Sequence, residues 1–256
     1  LEEKINRVGA QYVSAFIAEP IIGSTAGAVV APPEYWEIVR DICDKYDILL
    51  IADEVMTGVG RTGKNFCVEH WGVTPDIIAS AKGLASCYFP AGATICTQKI
   101  ADAFANGSGI FAHSHTFNGM PAASAAISAV LDFYTQNDLC SNAAKMGKII
   151  ERYAPAILEC EYVGDVRGKG LMWGFEFVKD KKTKEPFEKT KGVGTKFRDF
   201  CIRRGFTVYP GASMVDGVNG DNIIIAPPLI ITEEQITDFL DMLVDALRAF
   251  AKELQG

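Results

Sequence analysis

Residues 48–84 place a carboxylate, Asp53, at the end of one apolar run and a lysine, Lys82, just after a second, with a glycine-rich loop between them. A strand ending in an acid and a strand ending in an amine would put both groups at the C-terminal edge of a parallel sheet, where open α/β folds bind ligands. An aldehyde cofactor such as pyridoxal phosphate needs this pair. The amine holds the aldehyde as a Schiff base, and the carboxylate keeps the pyridine nitrogen protonated so that the ring can act as an electron sink. Taken singly, the two residues have plainer readings: Lys82 as a surface charge and Asp53 as a strand-end cap.

The surrounding pattern supplies elements that could hold them. Residues 12–18 read as a buried strand stopped at Glu19-Pro20. Pro32-Pro33-Glu34 opens a helix, where proline and an acid suit free N–H groups and a positive dipole end. Trp36, Val39, Cys43 and Tyr46 repeat at helical steps, and residues 48–52 form the next strand, completing a βαβ unit. Residues 76–80 and 91–97 read as further strands, the second able to pair beside the first. Residues 98–105, 118–134 and 141–158 read as helices, and the alanines between 122 and 129 predict that the middle one is well buried. Four glycines in residues 162–178 suggest a bent antiparallel strand pair. A lysine-rich loop (179–191), a helix (193–204) and strands at 206–209 and 223–226 follow. Thr232-Glu233-Glu234-Gln235 matches a capping box that opens a terminal helix. The change in composition places a domain boundary near residue 160, giving domains 1–160 and 161–256.

A length of 256 residues allows one large domain or two small ones, and a net charge of −7 argues against a nucleic-acid partner. The apolar runs are too short for a membrane span, and no signal peptide is expected after Leu1. Seven scattered cysteines without a C-x-x-C predict reduced thiols in a cytoplasmic protein, and three histidines supply no metal-ligand spacing.

The motifs Glu19-Pro20 with Ala31-Pro32-Pro33, Asp53-Glu54-Val55, Gly58-Val59-Gly60-Arg61-Thr62-Gly63, Ala81-Lys82-Gly83-Leu84, His115-Thr116-Phe117 and Ala226-Pro227-Pro228-Leu229 occur in one order along nearly the whole chain. In this the sequence closely resembles the class III, fold type I pyridoxal-phosphate aminotransferases. The resemblance implies part of that fold's α/β large domain, a mainly parallel sheet with helices, plus a smaller α+β C-terminal domain. It implies pyridoxal 5'-phosphate as cofactor, Lys82 as the catalytic amine, and Asp53, Val55 and Thr116 as further cofactor-binding residues. Val55 would pack on the ring face, unless it is simply core. Thr116 would reach the phosphate bound by the other subunit of a homodimer; read alone, it is the N-cap of the following helix. Glu54 is explained as well by an ion pair with Arg61. Glu19 reads as structural, and His113 and His115 as braces for their turn.

Three departures from the family pattern stand out. The glycine-rich turn after the lysine is here Ala85-Ser86-Cys87, Met56 stands where many members carry glutamine, and Ile224 stands where amino-acid transaminases commonly carry a carboxylate-binding arginine. The family also carries a long N-terminal portion with a phosphate loop and an aromatic that stacks on the cofactor. Neither is found in these residues, so the chain is expected to be the C-terminal portion of an enzyme. The expected activity is ping-pong transamination from an ω-amino acid or amine to a 2-oxo acid, pyruvate favoured, with no membrane partner. The alternatives are another activity on this scaffold, aminomutase or decarboxylase, or a truncated chain without turnover.

Overall fold

The computed structural model describes residues 1–255. Glu2–Val8 (α1) leads into Ala15–Ala18 (β1), then a short hairpin of Ile21–Ile22 (β2) and Val29–Val30 (β3). Tyr35–Lys45 (α2) follows, buries Trp36, Val39 and Cys43 along one stripe, and packs against Leu49–Asp53 (β4). Ile77–Ser80 (β5) and Ala93–Cys96 (β6) come next, then the helices Gln98–Asn106 (α3), Pro121–Gln136 (α4) and Leu139–Glu159 (α5). The remainder runs Val163–Lys169 (β7), Met172–Asp180 (β8), Glu185–Pro186 (β9), Val193–Ile202 (α6), Tyr209–Ala212 (β10), Asp221–Ile225 (β11) and Glu233–Gln255 (α7).

By contact these elements divide into two units. The first comprises Leu1–Pro20, Ala31–Gly60 and Lys64–Asp138; the second comprises Ile21–Val30, Arg61–Gly63 and the residues from Leu139 onward. α5 falls in the second unit because it packs on β7 and α7.

The first unit holds a four-stranded sheet in the order β1-β4-β5-β6. β1, β4 and β5 run parallel, as a βαβ unit requires, and β6 joins antiparallel. Asp76 registers the strands at their N-terminal ends: its Oδ2 accepts from the Leu50 N–H and from Arg40 Nη1, both at 2.8 Å. That junction ties α2, β4 and the start of β5 together, and the opposite strand ends emerge side by side. Helix α4 departs from expectation. It packs against the 3-10 turn Lys82–Ala85 but buries none of its residues, so its small side chains do not mark a buried helix among the described residues.

The second unit is built on the antiparallel order β10-β11-β8-β7, with β9 beside β8 inside the expected lysine-rich loop. One sheet face meets α5, α6 and α7 in an apolar core where Phe175, Phe177, Phe197 and Phe250 pack edge to face or tilted. Each such ring contributes about 1.5–3 kcal/mol by burial. On the other face Arg167 gathers four acceptors: Asp165 at 2.7 Å, Glu176 at 2.8 Å, and the Ala26 and Gly27 carbonyls at 2.8 and 3.1 Å. It fastens the β2–β3 hairpin to this sheet. The strand expected at 206–209 lies instead at Tyr209–Ala212, because Val208 and Phe206 join the core and pairing with β11 starts at Tyr209. The capping box forms as read, with Gln235 N–H to Thr232 Oγ1 at 3.2 Å and Thr232 N–H to Gln235 Oε1 at 3.1 Å.

Candidate active site

β4 and β5 are neighbours in parallel register, with Asp53 opposite Ala79, so Asp53 and the Lys82 turn leave adjacent strand ends. Asp53 is half-buried, and its Oδ1 accepts the Val55 N–H at 3.1 Å, which aims the carboxylate along the turn that follows β4. Val55 is half-buried just beyond it. Lys82 opens the 3-10 turn Lys82–Ala85 with φ 43° and an exposed side chain. Among the described residues its amine has no hydrogen bond and no ion pair. A carboxylate and an unpaired amine on neighbouring strand ends supply both groups that an aldehyde-bearing pyridine needs, and these residues fit pyridoxal phosphate.

Left-handed backbone is concentrated here. Besides Lys82, Ser86 (φ 49°), Cys87 (φ 62°) and Val59 (φ 57°) are non-glycine residues with positive φ. Each such residue costs roughly 1–2 kcal/mol, and strain of this kind clusters at functional sites. A cavity of about 640 Å³ opens beside the strand end, with Ala79, Ser80, Thr94, His113, His115 and Phe117 in its wall. Among the described residues the buried Ser80 hydroxyl has no hydrogen-bond partner. Sequence reasoning passed over Ser80, whose one signal is a polar residue closing an apolar run, and Val59, whose strained φ leaves no mark in the sequence.

Thr116 is exposed in the loop between α3 and α4, and its neighbours His115 and Phe117 share the cavity wall with Ala79 and Ser80. The wall does not include Thr116 itself, nor Asp53, Val55 or Lys82. The N-cap reading of Thr116 is corrected: α4 starts at Pro121 with Met120 as its N-cap. His113 and His115 pack edge to face at 4.8 Å, and His113 packs on Phe111 at 5.9 Å, so the imidazoles brace this loop by ring contact.

The expected Glu54–Arg61 pair is also corrected. Glu54 is buried and accepts from the Thr57 hydroxyl and from the Val68 N–H at 2.9 Å; burial raises its pKa above the usual carboxylate value. Arg61 donates Nη1 to the Leu171 and Pro227 carbonyls, and desolvation lowers its pKa to about 10. Ile224 lies within β11, 2% exposed, between Gly174 and Tyr209, so that position holds an apolar side chain sealed in a sheet.

An acid and an amine on adjacent strand ends are the pair of groups that a pyridoxal-phosphate transferase requires. The family model "Aminotransferase class-III" matches residues 1–247, and the chain belongs to that family. It is 36% identical over 256 residues to the uncharacterized aminotransferase YodT of Bacillus subtilis (strain 168), covering 100% of this chain and 58% of that protein. It is 37% identical to the probable gamma-aminobutyrate transaminase 3, mitochondrial, of Oryza sativa subsp. indica, over 97% of this chain and 48% of that one. Among solved structures it superposes with TM-score 0.87 on an amine transaminase from an uncultivated Pseudomonas species in its PLP-bound form. That match has 42% identity and covers 98% of this chain and 55% of the other. The chain thus spans about half the length of the relatives it matches.

Proposed function

We propose that this chain carries the lysine and the pyridine-nitrogen partner of a transaminase that moves an amino group from an ω-amino acid or amine to a 2-oxo acid in two half-reactions. The observation that supports this most directly is the pairing of Asp53 with an unpartnered Lys82 on adjacent parallel strand ends. Bound pyridoxal phosphate supplies the electrophilic aldehyde and the electron sink. Lys82 Nζ would hold the cofactor through its aldehyde and, as a free amine, would take up the proton leaving the substrate Cα. Asp53 holds a proton on the pyridine nitrogen. Val55 packs on the ring face, and the Thr116 hydroxyl donates to the phosphate bound by a second copy of the chain.

A homodimer fits the exposed apolar side chains of the Thr116 loop, with Phe111 63% and Phe117 76% exposed. In this reading residues 1–160 serve the cofactor and residues 161–256 form the small domain. The seven cysteines, none of them in a disulfide among the described residues, suit a cytoplasmic setting. No helix among the described residues is long and apolar enough to cross a membrane.

Pyruvate is the favoured acceptor because Ile224 cannot hold a second carboxylate as an arginine would. Charge-assisted hydrogen bonds contribute roughly 1.5–3 kcal/mol each, so their loss lowers affinity for 2-oxoglutarate by about tenfold or more. The name of the rice relative supports an ω-amino donor. Initial rates with one amine donor and either pyruvate or 2-oxoglutarate test the assignment. A clear preference for 2-oxoglutarate would refute it.

A further inference from the structure

We infer that Asn118-Gly119 is a modification site, where the Asn118 side chain deamidates spontaneously while two identical dipeptides elsewhere are protected. This holds whether or not Lys82 is the reactive amine. Asn-Gly occurs three times, at 106–107, 118–119 and 219–220. In each, glycine lacks the side chain that would hinder its amide nitrogen from reaching the asparagine Cγ, so the sequence ranks the three equally. Their hydrogen bonds do not. Asn219 is held at both side-chain atoms: its Nδ2 donates to Asp216 Oδ2 at 3.0 Å and its Oδ1 accepts the Lys189 N–H at 3.2 Å. Its own N–H donates to Asp216 Oδ1 at 2.6 Å, and its carbonyl accepts the Val215 N–H at 3.1 Å. Turning its Cγ toward Gly220 breaks the side-chain pair. Asn106 closes α3, and the attacking nitrogen there, the Gly107 N–H, is spent on the Ala103 carbonyl at 3.1 Å.

Asn118 has neither restraint. It and Gly119 are exposed in the loop between α3 and α4. Among the described residues the Asn118 side-chain amide has no hydrogen-bond partner and the Gly119 N–H has no acceptor. The Asn118 N–H alone is engaged, with the His115 carbonyl at 2.9 Å, which leaves both reacting atoms free. The Gly119 nitrogen, its proton lost to solvent, bonds to Asn118 Cγ, and the Cγ–Nδ2 bond breaks to release ammonia. Water then opens the five-membered ring at either carbonyl, giving aspartate or isoaspartate. Both residues line the cavity beside the end of β5, a wall that holds no Asp, Glu, Lys or Arg among the described residues. Deamidation therefore puts a fixed negative charge into a wall of hydroxyls, imidazoles and apolar groups.

The test compares the three sites in one sample. The chain is incubated at mildly alkaline pH, which favours loss of the amide proton, once folded and once in guanidinium chloride. Chymotryptic peptides, which cleavage at Phe111 and Phe117 separates, are followed by mass spectrometry for conversion at each asparagine. Unfolded, the three sites should convert at similar rates. Folded, Asn118 should keep most of its unfolded rate, while Asn106 and Asn219 fall about tenfold or more below it, since each hydrogen bond that must open adds to the barrier. A more acidic species should accumulate on anion exchange in wild type and largely vanish in N118A. D216A removes the restraint on Asn219 and should raise the rate at that site alone; if that variant fails to fold, the wild-type ranking decides. Conversion at Asn106 or Asn219 as fast as at Asn118 in the folded chain, or folding that slows Asn118 as deeply as the other two, would overturn the inference. So would an acidic species undiminished in N118A, or an Asn219 rate unmoved in folded D216A.

Discussion

Replacing Ser86 and Cys87 with glycine should stabilise the protein, although neither change adds a contact. Both residues are exposed and sit at φ 49° and 62°, so neither side chain belongs to the buried core. Release from the left-handed region is worth roughly 1–2 kcal/mol per residue. Glycine returns about 0.5–1 kcal/mol of that through the greater freedom of its unfolded chain. The net gain is about 0.5–1 kcal/mol for each single variant, and adjacent positions need not add. For a chain of this size that raises the midpoint of thermal unfolding by about 2–4 °C per kcal/mol. Urea melts at neutral pH provide the assay: the midpoint should rise in S86G and C87G at constant slope, and Cys87→Ser, which keeps the strained backbone, should not move it. If both glycine variants left the midpoint unchanged or lowered it, the strain assigned to this turn would be wrong. The Ser86 N–H to Gly83 bond is main-chain and survives either change, so its loss could not explain such a result.

Further expectations concern ionisation and the reactive pair. Burial raises the Glu54 pKa, so its stabilising share is whole below its unfolded value near 4.5 and is lost as pH rises through the higher folded value. E54Q can still accept from Val68 and donate to Thr57, and urea melts should show its stability gaining on wild type from pH 4.5 to 7. Asp76 behaves oppositely. Desolvation raises its pKa, but the Leu50 N–H and Arg40 outweigh that and hold it below the usual value. D76N should therefore lower stability by about 2 kcal/mol at pH 7, with the deficit shrinking as pH falls below about 3.8. Mass spectrometry after borohydride reduction with pyridoxal phosphate should show a covalent adduct in wild type and D53N and none in K82A. D53N should transaminate about 10²-fold more slowly, because an amide cannot keep the pyridine nitrogen protonated.

Much of the site's scaffold was readable because it obeys local rules. Pro20 stops β1, the stripe from Trp36 to Cys43 marks α2, and the apolar runs before Asp53 and Lys82 are strands within a residue or two of expectation. Thr232 and Gln235 form the reciprocal cap that their spacing announces. What was missed depends on partners remote in sequence. The β2–β3 hairpin is held by Arg167, about 140 positions along the chain, and no local pattern encodes that clasp. Glu54 found the Thr57 hydroxyl in its own turn and the Val68 N–H, 14 positions on, instead of Arg61. The alanines of α4 permit close helix packing without requiring it. Ser86 and Cys87 were visible only as a departure from a glycine-rich turn, since residue type does not report φ.

The path of the backbone between the two units carries a consequence for how this protein can be cut or recombined. It passes from one to the other five times, after Pro20, Val30, Gly60, Gly63 and Asp138. Neither unit is a contiguous cassette. A protease nick after Val30, Gly60 or Gly63 leaves each unit short of a strand or loop supplied from elsewhere in sequence, whereas one after Pro20 keeps only the second unit's segments together and one after Asp138 only the first's. Gene fusions face the same constraint, because a crossover at Asp138 would transplant the helical core without the Ile21–Val30 hairpin that Arg167 fastens to its sheet. A crossover between Val30 and Gly63 is expected to break both units at once.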